Sequence, residues 1–104
     1  MERIGFKMKL FDGSEDEYKK RHDAIWPELK NLLKETGIED YSIFLDRATN
    51  TLFGVLKVED ASNLDELPRH PLMKKWWASL TDLMETNDDT SPKSIPLQEV
   101  FYLK

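Results

Sequence analysis

No cysteine occurs among the 104 residues, which excludes disulfides and thiolate zinc sites outright. That zero count fits a reducing compartment, and a cytoplasmic location is the expectation. No run of Lys and Arg stands clear of acidic neighbours, and the net charge is −5. Nucleic-acid binding and attachment to an anionic membrane both draw on clustered positive charge, so neither is expected. A neutral or cationic small molecule suits this charge better. No apolar stretch approaches the roughly 20 residues of a membrane span. Ile4, Phe6, Met8 and Leu10 are interleaved with charges, which leaves no signal-peptide core at the N-terminus. Histidine is scarce as well. His22 and His70 form no HxH or HxxxH pair, and no metal site is expected. What is present, 39% hydrophobic and 34% charged residues, suits a soluble protein with a single domain over residues 1–104.

Residues 3–11 alternate, with Ile4, Phe6, Met8 and Leu10 on one face, and read as a half-buried strand. Asp12-Gly13-Ser14 turns the chain, and Ser14 with Glu17 has the pattern of a capping box. A helix follows to about Glu35, its apolar and aromatic positions Tyr18, His22, Ile25, Leu29 and Leu32 spaced by three or four. Trp26 and Leu33 widen that stripe, Pro27 kinks or breaks the helix, and Gly37 stops it. Residues 40–46 and 51–58 read as strands close enough to form a hairpin. Asp60 to Leu67 forms a short helical or irregular piece. Pro71 suits the first turn of a second main helix carrying Met73, Trp76, Trp77, Leu80, Leu83 and Met84. Residues 85–96 read as a loop and Leu97 to Leu103 as a final strand.

The order β-α-β-β-α-β is the ferredoxin-like pattern of an α+β fold, with four antiparallel strands and both helices on one face. Strand 51–58 is apolar on both sides, and Phe44, Val100 and Tyr102 add apolar groups opposite the core-facing ones. A sheet apolar on both faces needs a second cover. A symmetric homodimer with facing sheets, a dimeric α/β barrel, supplies it.

His22 lies one turn after Tyr18 on the same helix face. Imidazole exchanges protons near neutral pH, so His22 is a candidate general acid or base. Read as one residue of an apolar stripe, it is more often a core-edge group. His70, before Pro71, reads as a turn or helix cap. Trp76 and Trp77 point about 100° apart around their helix, so one can pack inward while the other reaches a pocket wall. An indole face suits the C–H surface of a sugar ring, and core packing with a dimer contact is the plainer alternative. Tyr41 opens the second strand at a position that suits a pocket edge or packing. Asp46 and Asp82 each sit among apolar residues. Asp82 could bond the helix backbone or a neighbouring strand, and Asp88 and Asp89 read as solvated.

Several separated segments together resemble the L-rhamnose mutarotase family. These are Tyr18-Lys-Lys-Arg-His22-Asp-Ala-Ile-Trp26-Pro27-Glu28-Leu29, Tyr41-Ser-Ile-Phe-Leu-Asp46, the Trp76-Trp77 pair, Thr81-Asp82-Leu83-Met84, and Leu97-Gln-Glu-Val-Phe-Tyr-Leu103. The resemblance covers nearly the whole chain in order; residues 59–72 add nothing to it. It implies a ferredoxin-like fold assembled as a dimer, no cofactor, and interconversion of the α and β pyranose anomers of L-rhamnose. Through it, His22 matches the family's proton donor, and Tyr18, Tyr41, Trp76 and Trp77 match its sugar-binding positions. Two other readings fit the same residues. One is a cofactor-free, monooxygenase-like dimeric α/β-barrel enzyme, because one fold hosts varied chemistry. The other is a non-catalytic sugar-binding module in which His22 is structural.

Overall fold

The computed structural model describes residues 1–104, and its strands follow the hydrophobic alternation. β1 (Glu2–Lys9), β2 (Ile38–Asp46), β3 (Thr51–Val58) and β4 (Ile95–Leu97) form one antiparallel sheet in the order β2-β3-β1-β4. Met8 and Leu52 on its inner face meet Leu29, Met73, Trp76 and Leu80 from the helical layer in the main core. Ile38, Leu56 and Val58 form a smaller core that packs against Ala61 and Leu64 of a 3₁₀ helix at Ala61–Arg69.

Pro27 breaks the first helical run. α1 (Glu15–Asp23) and α2 (Pro27–Glu35) are separate helices. Pro27 is the first residue of α2, where its missing N–H costs nothing, and Trp26 before it is extended. α1 therefore ends just after His22 and takes its own direction. The capping box does not form: Ser14 has near-helical angles and makes no side-chain cap bond. The Glu17 carboxylate instead accepts from Arg21 Nε at 3.0 Å. Gly37, at φ +93°, closes the end of α2 in the left-handed region that glycine tolerates.

α3 (Pro71–Ser79) starts where expected, capped by His70, whose Nδ1 accepts from the Leu72 N–H at 3.1 Å. It stops short of the apolar pattern. Leu80, Leu83 and Met84 lie beyond its end yet stay buried, with Met84 bridging to Leu10.

The last strand differs from expectation. It covers Ile95–Leu97 rather than Leu97 to Leu103. Val100, Phe101 and Leu103 are exposed at 88%, 76% and 79%, because nothing in this chain covers an alternating segment at that edge. The segment stays beside β1 through side chains, with the Arg3 guanidinium 3.4 Å from the centre of the Tyr102 ring.

Between Glu39 and Ser42 the β2–β3 register slips. Asp40 there sits at φ +51°. Such a bulge inserts one residue and switches the side-chain alternation. Ile38 can thus face inward at one end of β2 while Tyr41, Ile43 and Leu45 share the inner face beyond it. The outer face carries Phe44 paired across from Phe53, with Val55, Ile95 and Leu97 alongside. Of these, Phe44 is 64% exposed and Ile95 56%.

Candidate active site

His22 is held by the helix that carries it. Its Nδ1 lies 2.9 Å from the Tyr18 carbonyl oxygen, which can only accept, so Nδ1 carries the proton. Nε2 is then the ring nitrogen left to exchange a proton. The imidazole stacks on the Tyr18 ring, with centroids 4.1 Å apart and planes at 29°. Trp76 meets the imidazole in a T-shaped contact at 5.3 Å, and Trp26 meets Trp76 in the same way at 5.1 Å. Burial lowers the His22 pKa; the hydrogen bond to the Tyr18 carbonyl and the Asp23 charge oppose this without reversing it. At neutral pH the ring is mostly uncharged.

Burial holds the Tyr18 phenol well above the usual phenol range, and the charge Tyr41 would carry if ionised adds to this. Tyr41 keeps 39% of its surface exposed. Desolvation of its phenol pushes the pKa up to about 12. Both phenols keep their protons at neutral pH and serve as hydrogen-bond donors. Tyr41 is braced by Phe6, 6.2 Å away and edge-on. Phe6 in turn lies over Gly54, where a Cβ would come within 2.4 Å of its ring. Only a residue without a side chain leaves room for that support.

A sequence profile of the L-rhamnose mutarotase family matches residues 3–103. The L-rhamnose mutarotase of Formosa agariphila is 52% identical over 104 residues, covering 100% of both chains. That of Brucella anthropi is 55% identical over 102 residues, covering 98% of this chain and 96% of its own. That of Flavobacterium johnsoniae is 56% identical over 101 residues, covering 97% and 94%. The crystal structure of an L-rhamnose mutarotase from Formosa agariphila superposes with a TM-score of 0.93 at 51% identity, over 100% of both chains. The chain belongs to the L-rhamnose mutarotase family.

In this mutarotase-family chain, Tyr18 and His22 share a helix face as their spacing implied, and the fold brings Trp76, rather than Trp77, against His22. Trp77 stands apart. It is partly buried beside the core, while the ring pairings run through Trp76, which is 5% exposed and fills both the core and the wall beside His22. Trp26 and Phe6 belong to the aromatic surroundings although their spacing marked them only as stripe and strand residues. Helical spacing from His22 does not explain the place of Trp26, because α1 ends at Asp23 and Trp26 is extended. Asp82 meets neither backbone nor strand. Its carboxylate takes the Arg21 guanidinium with both oxygens, at 2.9 and 3.0 Å. Asp46 shapes the β2–β3 turn by accepting from the Ala48 N–H at 3.0 Å.

A surface cavity of about 590 Å³ opens elsewhere, lined by Lys7, Lys9, Glu85, Asn87, Lys93 and Ile95 among others. It offers neither imidazole nor aromatic ring, and its charges are mixed. No group of three or more His, Asp or Glu side chains is placed to hold a metal ion. No helix is long and apolar enough to cross a membrane.

Proposed function

We propose that this protein interconverts the α and β pyranose anomers of L-rhamnose, with one mutarotase domain spanning residues 1–104 and no cofactor. The observation that carries this reading is the Tyr18–His22–Trp76 ring cluster within a chain that matches the family from end to end. Anomerisation breaks the ring C1–O5 bond, rotates C1 about the C1–C2 bond and recloses the ring on its other face. Opening delivers a proton to O5 and takes one from the anomeric hydroxyl; closure reverses both transfers. His22, as the imidazolium, gives its Nε2 proton to O5 while the Nδ1–H bond to the Tyr18 carbonyl keeps the ring in place. The same nitrogen takes the proton back on closure. Tyr18 and Tyr41 donate to sugar hydroxyls, the buried Trp76 contributes to the sugar site as the wall beside His22, and the partly buried Trp77 offers its indole to the pyranose. Water or a neighbouring carboxylate accepts the anomeric proton.

Saturation-transfer NMR on L-rhamnose tests this reading, with protein-dependent exchange between the anomer signals as the expected result. Exchange equal to the protein-free rate across a panel of sugars would refute it. The same measurement gives the pH dependence. kcat/KM reports groups of the free enzyme. With burial lowering the His22 pKa below its ordinary 6.5, the imidazolium is a minority at neutral pH. As pH rises through and beyond that lowered pKa, kcat/KM falls, by about tenfold per unit, and it levels off below it. A kcat/KM that rises with pH would make His22 the base instead.

We further propose that the subunit is ferredoxin-like and pairs with a second copy through the outer sheet face as a dimeric α/β barrel in the cytoplasm. The support is the apolar outer strip of Phe44, Phe53, Val55, Ile95 and Leu97, continued by the exposed Val100, Phe101 and Leu103. Light scattering at micromolar concentration then gives twice the 12.2 kDa chain mass, and a purely monomeric species would rule the pairing out. The charge and the absence of basic clusters speak against nucleic-acid or membrane partners.

A further inference from the structure

α1 presents His22 but is poorly anchored by apolar contact. Of its residues Glu15–Asp23, only Tyr18 is buried. The break before Pro27 also frees it from α2, whose buried Leu29 belongs to the main core. Something else must fix the direction of α1 against α3, because the 5.3 Å approach of His22 to Trp76 spans the two helices.

Arg21, next to His22, makes that link. Its Nη1 donates to the Ser79 carbonyl at 2.6 Å and to Asp82 Oδ1 at 2.9 Å, and its Nη2 donates to Asp82 Oδ2 at 3.0 Å. Its Nε is taken by Glu17 on its own helix at 3.0 Å. The Ser79 carbonyl is one of the last-turn acceptors of α3 that no helical N–H can reach, and a cation there is favoured by the helix dipole. The Ser79 hydroxyl in turn donates to the Trp76 carbonyl. Two hydrogen bonds, both made by Ser79, thus link the Arg21 side chain next to His22 with the Trp76 carbonyl. The carboxylate holds Arg21 firmly protonated, and the guanidinium depresses the Asp82 pKa. The Arg21 and Asp82 side chains retain 28% and 62% exposure, so the pair itself contributes little to stability. Its effect is geometric. A bidentate fork fixes both distance and angle, and a lysine cannot reproduce it.

We infer that Arg21 and Asp82 are positioning residues that set the His22 imidazole against Trp76 for proton transfer. The inference rests on the mutarotase reading of the site. A displacement of about 1 Å at a reacting group can cost on the order of 10²-fold in rate.

The test compares wild type, Arg21→Lys, Asp82→Asn and Asp82→Glu by anomer-exchange kinetics on L-rhamnose. The Cε1–H signal of His22 is followed in parallel, assigned by its loss in His22→Ala. Lys19→Ala, which removes the exposed Lys19–Asp23 pair on the same helix, is the control. Arg21→Lys and Asp82→Asn are expected to lower kcat about ten- to hundredfold. KM stays within about twofold and the His22 signal moves, while Asp82→Glu recovers part of kcat. Arg21→Lys keeps the charge and can keep the Glu17 pair, so it decides the matter even where Asp82→Asn fails to fold. Folded Arg21→Lys protein with unchanged kcat and an unmoved His22 signal would overturn the inference, reducing the fork to a surface staple. A wild-type protein that fails to speed exchange strikes the mutarotase reading alone, and the His22 signal still decides the clamp.

Discussion

Replacing His22 by Ala is expected to abolish most of the protein-dependent anomer exchange while leaving the protein folded. General acid–base help is typically worth about 10²–10⁴-fold, and that is the expected fall in kcat. KM changes far less, because Tyr18, Tyr41, Trp76 and Trp77, which hold the sugar in this reading, remain. The stability cost is modest. His22 is half-buried, and the substitution removes one hydrogen bond to the Tyr18 carbonyl and two ring contacts, stacked on Tyr18 and T-shaped to Trp76. Contacts of those kinds contribute about 1 kcal/mol each. Saturation-transfer NMR measures the exchange, and urea unfolding measures the stability. The truncation leaves space between the Tyr18 and Trp76 rings, so added imidazole is expected to restore part of the rate. Unchanged exchange in folded His22→Ala protein would remove His22 from the chemistry and turn attention to the phenols.

Trp76→Ala is expected to have the largest effect on stability. Trp76 is 5% exposed and sits in the main core with Leu29, Leu52 and Met73. It also touches His22 on one side and Trp26 on the other. Truncating a buried Trp to Ala typically costs about 3–5 kcal/mol, against about 5–15 kcal/mol for the total stability of a domain. For a chain of this size that lowers Tm by roughly 15–25 °C. Calorimetry checks it. Trp76→Phe fills most of the space and is expected to retain the fold while losing the indole edge beside His22. Its exchange rate then separates the packing role from the wall role. A Trp76→Ala protein as stable as wild type would mean that the ring is not part of the core.

Much of the fold was legible because its signals are local. Ile4, Phe6 and Met8 alternate along β1, so that strand and its face followed from period alone, whereas β3, apolar on both sides, was legible as a strand but not in its facing. Pro27 announced a break and Gly37 a stop, since each acts through its own backbone torsions. His70 was recognisable as a cap from its place before Pro71. Two local readings lost to competing partners. Ser14 and Glu17 match a capping box, but Arg21 claims the Glu17 carboxylate. Leu97 to Leu103 alternates like a strand, but nothing in this chain covers its apolar groups, and the backbone ladder with β1 stops at Leu97.

The site divides along the same line. The sequence by itself determined that Tyr18 and His22 share a helix face and that His22 sits in a segment shared with the mutarotase family. It also determined that Trp76 and Trp77 cannot point the same way. These follow from helical geometry and residue order. Only the tertiary structure decided which tryptophan meets His22, because that depends on how α3 is rotated against the sheet. The same holds for Tyr41, turned inward by a bulge at Asp40 and braced by Phe6 over Gly54, and for the meeting of Asp82 with Arg21 across 61 residues of chain. Each of these is a contact between distant segments, set by the packing of whole elements rather than by any residue's neighbours in sequence.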